Sequence, residues 1–150
     1  MINWQLYQYS ELSKELLYKI LKIRQEVFII EQNCNYLDAD GIDQYSSHLL
    51  GSVNGELIAY MRIVNPGKIY KNLSFGRILV KKKYRNEGIG KKLMVKAIAL
   101  FELKYSNIII SAQFYLLDFY KEFDFKPIGN KYLEDNIPHI KMIRHGENML

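Results

Sequence analysis

The chain has 150 residues, a hydrophobic fraction of 49%, a charged fraction of 25% and a single cysteine, Cys34. That length suits one domain with a continuous core, and that composition excludes an intrinsically disordered chain. A lone cysteine excludes an internal disulfide and a thiolate metal cluster, and no other metal-ligand spacing is present. The net charge of +5 favours anionic partners, a class that includes both phosphorylated small molecules and nucleic acid. The first residues, Met1-Ile2-Asn3-Trp4-Gln5, run straight into polar sequence rather than a signal peptide. No window approaches the roughly 20 apolar residues of a membrane span. The expected location is the cytoplasm, with no membrane partner.

In chain order, Trp4 to Tyr9 reads as a short opening strand. Ser10 or Ser13 offers an N-cap, and Glu11 and Glu15 suit the positive end of a helix. Leu16, Ile20, Ile23 and Val27 form an apolar stripe at helical spacing, flanked by Leu17, Leu21 and Phe28. This helix should fade near Ile30. From Glu31 to Ser47 the pattern is irregular and acidic, as expected of a long functional loop. His48 to Val53 and Glu56 to Val64 are strand-like, and Asn54-Gly55 between them signals a hairpin. Pro66-Gly67 marks a turn, and Leu73 to Val80 is a further, mostly apolar strand. Gly88 to about Leu103 has helical composition, with Leu93, Ala97, Leu100 and Phe101 able to face a core. Ile108 to Ile110 is a short buried strand, Phe114 to Phe123 a helix, and Ile128 to Leu133 and His139 to Arg144 two closing strands. Neither a repeat nor a linker divides the chain, so residues 1–150 are expected to form one domain.

The informative unit is a strand ending at Val80, a basic turn, and a helix beginning near Ile89. A helix start exposes unpaired N–H groups and the positive end of a dipole, which together attract anions. Gly88 and Gly90 let phosphate oxygens approach the backbone, and Arg85, Lys91 and their neighbours add charge. Spacing discriminates between cofactor classes. The dinucleotide pattern G-x-G-x-x-G is missing, and the triphosphate loop fails because Lys92 follows Gly90-Lys91 and no glycine stands five positions earlier. Nucleic acid is not the expected partner either, because the lysine cluster lacks aromatic interleaving and a recognition helix rich in Arg and Asn.

What remains, R-x-x-G-x-G over Arg85 to Gly90, resembles the acetyl-CoA signature of the Gcn5-related N-acetyltransferases, the GNAT family. The order of elements matches that family from end to end, and Phe119-Tyr120 with Phe125 resembles its F-Y-x-x-x-x-F segment. Further blocks are similar to its ElaA-type branch. They are Leu17 to Phe28, Glu31-Gln32-x-Cys34-x-Tyr36, Asp40-Gly41-x-Asp43, His48-Leu49, Phe75 to Ile78, Ser111 to Gln113 and Tyr132 to His139. Asn86 stands where glycine is usual, outside the three fixed positions of the signature, and Asn136 also replaces a usual glycine, asparagine being the residue best able to do so in a left-handed conformation. Asn35 and Asp38 stand in place of the usual proline and glutamate.

The resemblance implies an α/β (α+β) fold with one mixed, mostly antiparallel sheet of six or seven strands flanked by helices. It implies an N-acetyltransferase that passes acetyl from acetyl-CoA directly to a primary amine of a small molecule or peptide. An acyl-CoA-binding sensor without turnover remains a second reading, and the chain would be a monomer or homodimer. Arg85, Asn86, Glu87, Gly88, Ile89, Gly90 and Lys91 would hold the pyrophosphate, and Gln113 would also touch the cofactor. The backbone of Ile78, Leu79 and Val80 would hold the pantetheine arm, with the N–H of Ile78 or Leu79 polarising the thioester. Tyr120 would protonate the departing thiolate.

The base is open. Leu73 to Val80 holds no carboxylate, which leaves Glu31, Asp43, His48, Glu134, Asp135 and His139 as candidates. Of these, Glu31, His48 and His139 are carried as catalytic candidates, and Asp43, Glu134 and Asp135, with Arg77, as acceptor-binding candidates. Arg77 either pairs with an acid of the 38–43 loop or faces the cleft. Cys34 is expected to be a small buried filler.

Overall fold

The computed structural model describes residues 1–146. Seven strands form one sheet: β1 (Asn3–Gln8), β2 (Ser46–Val53), β3 (Glu56–Val64), β4 (Leu73–Val80), β5 (Asn107–Gln113), β6 (Phe125–Glu134) and β7 (Ile137–His145). Their spatial order is β1-β2-β3-β4-β5-β7-β6, and every neighbouring pair is antiparallel except β4 with β5. Three helices accompany them: α1 (Lys14–Arg24), α2 (Ile89–Phe101) and α3 (Leu117–Lys121).

Ser13 caps α1, its hydroxyl accepting from the Leu16 N–H at 3.1 Å. The helix then widens into a π-helical segment, Gln25–Glu31, a rare geometry that concentrates at functional sites. The apolar stripe of α1 lies on one face of the sheet, where Ile20, Ile23, Val27 and Phe28 pack against Leu50, Leu57, Tyr60 and Leu79. On the other face Ile89, Leu93, Met94, Ala97 and Ile98 of α2 pack against Ile58, Met61, Ile63, Phe75 and Ile110. Each Val, Leu, Ile, Phe or Met among them contributes roughly 1.5–3 kcal/mol by leaving water. Because both faces are covered, β3 is buried along almost its whole length.

Several expectations shift. Leu100 faces solvent, 41% exposed, because the buried stripe of α2 runs through Leu93, Met94, Ala97 and Ile98. The segment after Gln113 is a 3-10 turn (Phe114–Leu116) leading into a five-residue α3. β6 begins at Phe125, three residues before the expected start. Among the described residues no helix is long and apolar enough to cross a membrane.

Two features of β4 position the site. Tyr60 faces Leu79 and Arg62 faces Gly76, so Met61 alone opposes both Arg77 and Ile78. This is a β-bulge, and Arg77 occupies it with φ of 50°, a left-handed value that costs a non-glycine residue about 1 kcal/mol. β4 also pairs with β5 only from Leu73 to Phe75, opposite Ile108 to Ile110. Beyond Gly76 the two strands separate.

Candidate active site

A cavity of about 640 Å³ occupies the gap, lined by Gly76 to Val80 of β4 and Ser111 and Gln113 of β5. The start of α2, Tyr120 of α3, the π-helical segment and the β6–β7 hairpin complete its wall. Its groups differ in charge from one element to the next.

The turn before α2 contributes Arg85, Asn86, Gly88, Ile89, Gly90 and Lys91 to the wall, while Glu87 is exposed and outside it. Asn86 has φ of 67° and Gly88 φ of 77°, so asparagine does serve where a left-handed residue is needed. Gly88 is the N-cap of α2 and supplies no side-chain cap, which leaves the first N–H groups of a 13-residue helix without the usual side-chain acceptor. A Cβ at Gly90 would meet only Phe119 at 3.6 Å and Val80 at 3.9 Å. Those are ordinary contacts, so internal packing does not demand glycine there. The Arg85 Nε–H donates to the Val80 carbonyl at 2.8 Å, and its guanidinium pairs with Glu31 from the π-helical segment. Lys91 pairs with Glu122 at 3.1 Å.

Tyr120 is 6% exposed and lines the cavity. Burial raises its pKa well above the ordinary tyrosine value, so the phenol keeps its proton at any working pH. Phe119 and Phe125 pack edge-on against its ring and fix its direction.

The hairpin contributes Glu134, Asp135 and His139 to the wall. His139 Nδ1 lies 2.7 Å from the Ile137 carbonyl oxygen. A carbonyl only accepts, so Nδ1 carries a hydrogen and Nε2 is the nitrogen that takes up or releases a proton. Nε2 faces a Glu134 carboxylate oxygen at 3.4 Å. The Ser111 hydroxyl donates to the other Glu134 oxygen at 3.3 Å and is bonded to the Tyr132 hydroxyl. The Tyr132 ring stacks on His139. Tyr70 joins this group, its pKa pushed up to about 12 by burial and by the nearby Tyr132 and Glu134. Asn136 has φ of 65°, which makes the tight turn that brings Glu134 and Asp135 to the cavity.

His48 and Asp43 lie elsewhere. His48 is 0% exposed; its Nε2–H donates to the Asp43 carbonyl at 2.9 Å and its Nδ1 accepts from the Tyr60 hydroxyl at 2.7 Å. Burial lowers its pKa, so the ring is neutral and has no lone pair left to take a substrate proton. Neither residue lines the cavity. The expected acceptor-binding role of Asp43 meets the same obstacle, because Asp43 Oδ1 holds Arg24 at 2.7 Å and Arg62 at 3.0 Å.

Arg77 fulfils both alternatives, since it lines the cavity and pairs with Asp38 at 2.7 Å and Asp40 at 3.4 Å. Cys34 is half-buried in the cavity wall rather than in the core, its Sγ 3.5 Å from the carbonyl oxygens of Gln32 and Asp135. Sequence reasoning passed over Tyr70 and Tyr132 and gave Ser111 no role. Tyr132 and Glu134 are two apart on one strand and so share a face, which was a usable signal. Tyr70 had none, because it lies in a loop.

The GNAT acetyltransferase domain model matches residues 8–145. A UPF0039 protein of Synechocystis is 43% identical over 95% of this chain and 94% of its own length. The ElaA protein of Escherichia coli is 40% identical over 96% of this chain and 97% of its own, and its crystal structure superposes with a TM-score of 0.91. An acyl-CoA N-acyltransferase from Pseudomonas aeruginosa also superposes at 0.91, with 34% identity over 96% of this chain and 99% of its own. A GNAT family acetyltransferase from Elizabethkingia anophelis, solved with acetyl-CoA bound, shares the fold with a TM-score of 0.65 at 17% identity over 96% of this chain and 97% of its own. The chain belongs to the GNAT acetyltransferase family and is similar throughout its length to the ElaA-type proteins within it.

Proposed function

We propose that this protein is an N-acetyltransferase of the cytoplasm that moves acetyl from acetyl-CoA directly to a primary amine of a small molecule or peptide. One juxtaposition carries the reading: the unpaired C-terminal half of β4 opens on a cavity that also holds a bare helix start and a protonated tyrosine. The glycine at position 90, which the protein's own packing does not require, fits a group lying close to the backbone. Acetyl-CoA supplies an activated acyl carbon and a thiolate leaving group. The N–H groups at the start of α2, with Arg85, Asn86 and Lys91, hold its diphosphate, and Gln113 lies beside it. The free edge of Ile78, Leu79 and Val80 holds the pantetheine arm, and an N–H of Ile78 or Leu79 polarises the thioester carbonyl.

His139, oriented through Nδ1, takes the proton from the attacking amine at Nε2, and Glu134 beside it stabilises the imidazolium that forms. The new C–N bond forms as the C–S bond breaks, and Tyr120 gives its proton to the sulfur and recovers one from solvent. Asp135 and Glu134 favour an acceptor that arrives as an ammonium ion. Glu31 serves as the partner of Arg85 rather than as a base.

The test is thiol release from acetyl-CoA across a panel of polyamines, amino acids, aminoglycosides and peptides, with Tyr120→Phe alongside. Turnover on an amine, lost by about 10²-fold in Tyr120→Phe with acetyl-CoA affinity kept, is the expected result. Acetyl-CoA binding with no transfer to any amine would identify an acyl-CoA sensor instead.

A further inference from the structure

We infer that Asp38 is a positioning residue for acyl transfer: it clamps Arg77 and so fixes the β4 bulge whose backbone N–H groups face the thioester. The inference rests on the N-acetyltransferase reading above. Asp38 is gripped by two guanidinium groups from different elements. Its Oδ2 accepts from Arg24 Nε at 2.8 Å and its Oδ1 from Arg77 Nε at 2.7 Å. Its carbonyl oxygen accepts from the terminal nitrogens of the same two arginines at 2.9 and 3.0 Å.

The two grips are not equivalent. Arg24 is fully buried and bonded onward to Asp43, so Asp38 is anchored to α1. Arg77 is the bulge residue itself, in a left-handed conformation that its own side chain disfavours. From Gly76 onward β4 has no ladder with β5 and is paired with β3 alone, before and after the bulge, so Arg77 between those pairs is held by its side chain. Tyr36 reinforces the clamp, its hydroxyl 3.4 Å from Asp38 Oδ1 and its ring beneath the Arg77 guanidinium at 5.6 Å.

With the carboxylate removed, Arg77 keeps the Asp38 carbonyl at 3.0 Å and the longer Asp40 contact at 3.4 Å but loses its tightest anchor, which eases a return to extended backbone. Such a return draws Ile78 and Leu79 out of their present directions, and an N–H aimed at a developing oxyanion acts only in its proper place. Asp38 therefore reaches the chemistry through Arg77, without touching the reacting atoms. It also makes the acidic loop and the cofactor strand one mechanical unit.

The experiment uses Asp38→Asn, Asp38→Glu and Arg77→Gln, read by steady-state kinetics, thermal unfolding and the infrared carbonyl band of bound acetyl-CoA carrying ¹³C at the carbonyl. Wild type should show that band displaced from its free position by the polarising N–H. Asp38→Asn should return it toward the free position and lower kcat by about 10²-fold, as a misplacement on the ångström scale does, with KM within about threefold. Asp38→Glu, which keeps the charge, should restore kcat to within about threefold of wild type. Arg77→Gln leaves the buried Arg24 pair intact and should reproduce the band change even if Asp38→Asn does not fold. A displaced band and full kcat in both Asp38→Asn and Arg77→Gln, with only the unfolding temperature lowered, would overturn the role of Asp38. Wild-type protein that binds no acetyl-CoA, or binds it with an undisplaced band, would instead overturn the functional reading beneath it.

Discussion

In the proposed mechanism His139 is the proton acceptor that β4 does not supply, because the Nδ1 hydrogen bond to Ile137 leaves Nε2 with the lone pair, beside Glu134. His139→Ala should lower kcat by about 10²-fold while acetyl-CoA affinity, measured by calorimetry, stays within about twofold. An unchanged kcat would move the base elsewhere. Cys34 is a contrasting case. It lies in the same wall, but its sulfur is directed at two carbonyl oxygens rather than at a base. Cys34→Ala should therefore keep kcat within about twofold, and the wild-type initial-velocity lines should intersect; parallel wild-type lines with activity lost in Cys34→Ala would argue for an acyl-cysteine. Tyr120, expected from the family resemblance, and His139, one of several candidates named by residue type, both line the cavity. His48 shared the same attraction, a near-neutral ordinary pKa, yet its ring is saturated by Tyr60 and Asp43. A sequence shows that a histidine exists, whereas its free lone pairs depend on neighbours brought in by the fold.

At the level of elements, the turn into α2 works because Gly88 takes φ of 77°. Gly88→Ala should weaken acetyl-CoA binding by about fivefold to tenfold, reflecting about 1 kcal/mol of strain at the helix start, and a titration of the variant would show it. The second feature at this scale is the largely buried ion network. Arg24, Arg62 and Arg77 from α1, β3 and β4 meet Asp38, Asp40 and Asp43 of the loop. Arg24→Met should cost about 3 kcal/mol by urea unfolding, because two buried carboxylates each lose one of their two guanidinium partners. Strands, hairpin and the capped first helix were readable because period, cap and Asn-Gly turn agree locally. The bulge and the π-helical widening were not. Both are departures of one residue from a regular ladder, and each carries a contact distant in the chain, Arg77 with Asp38 and Glu31 with Arg85.

For the whole molecule, the acid limb of stability follows from the same network. Burial works to raise the Asp40 carboxyl, but the Arg62 guanidinium outweighs it and holds the pKa at about 2, below the ordinary 3.8. Asp43 is also lowered, burial again being outweighed, here by Arg24 and Arg62. A depressed carboxylate stabilises the fold fully above its unfolded pKa and loses that contribution as pH falls through its folded one. Unfolding monitored by circular dichroism should therefore steepen below about pH 4 and continue toward pH 2. Asp40→Asn should shrink that dependence without abolishing it, because Asp43 remains.

The sheet itself has a seam. Three residue pairs on the parallel side, Leu73 to Phe75 with Ile108 to Ile110, are the ladder that joins strands β1–β4 to strands β5–β7. A molecule that lies along the free edge of β4 acts there as an eighth strand, stitching the two halves together. Acetyl-CoA at 100 times its dissociation constant adds about 2.7 kcal/mol, which for a domain of this size raises the unfolding midpoint by roughly 5–10 °C. Amide hydrogens on both sides of the seam, not only those touching the ligand, should then exchange more slowly, because closing the seam makes two half-sheets open as one.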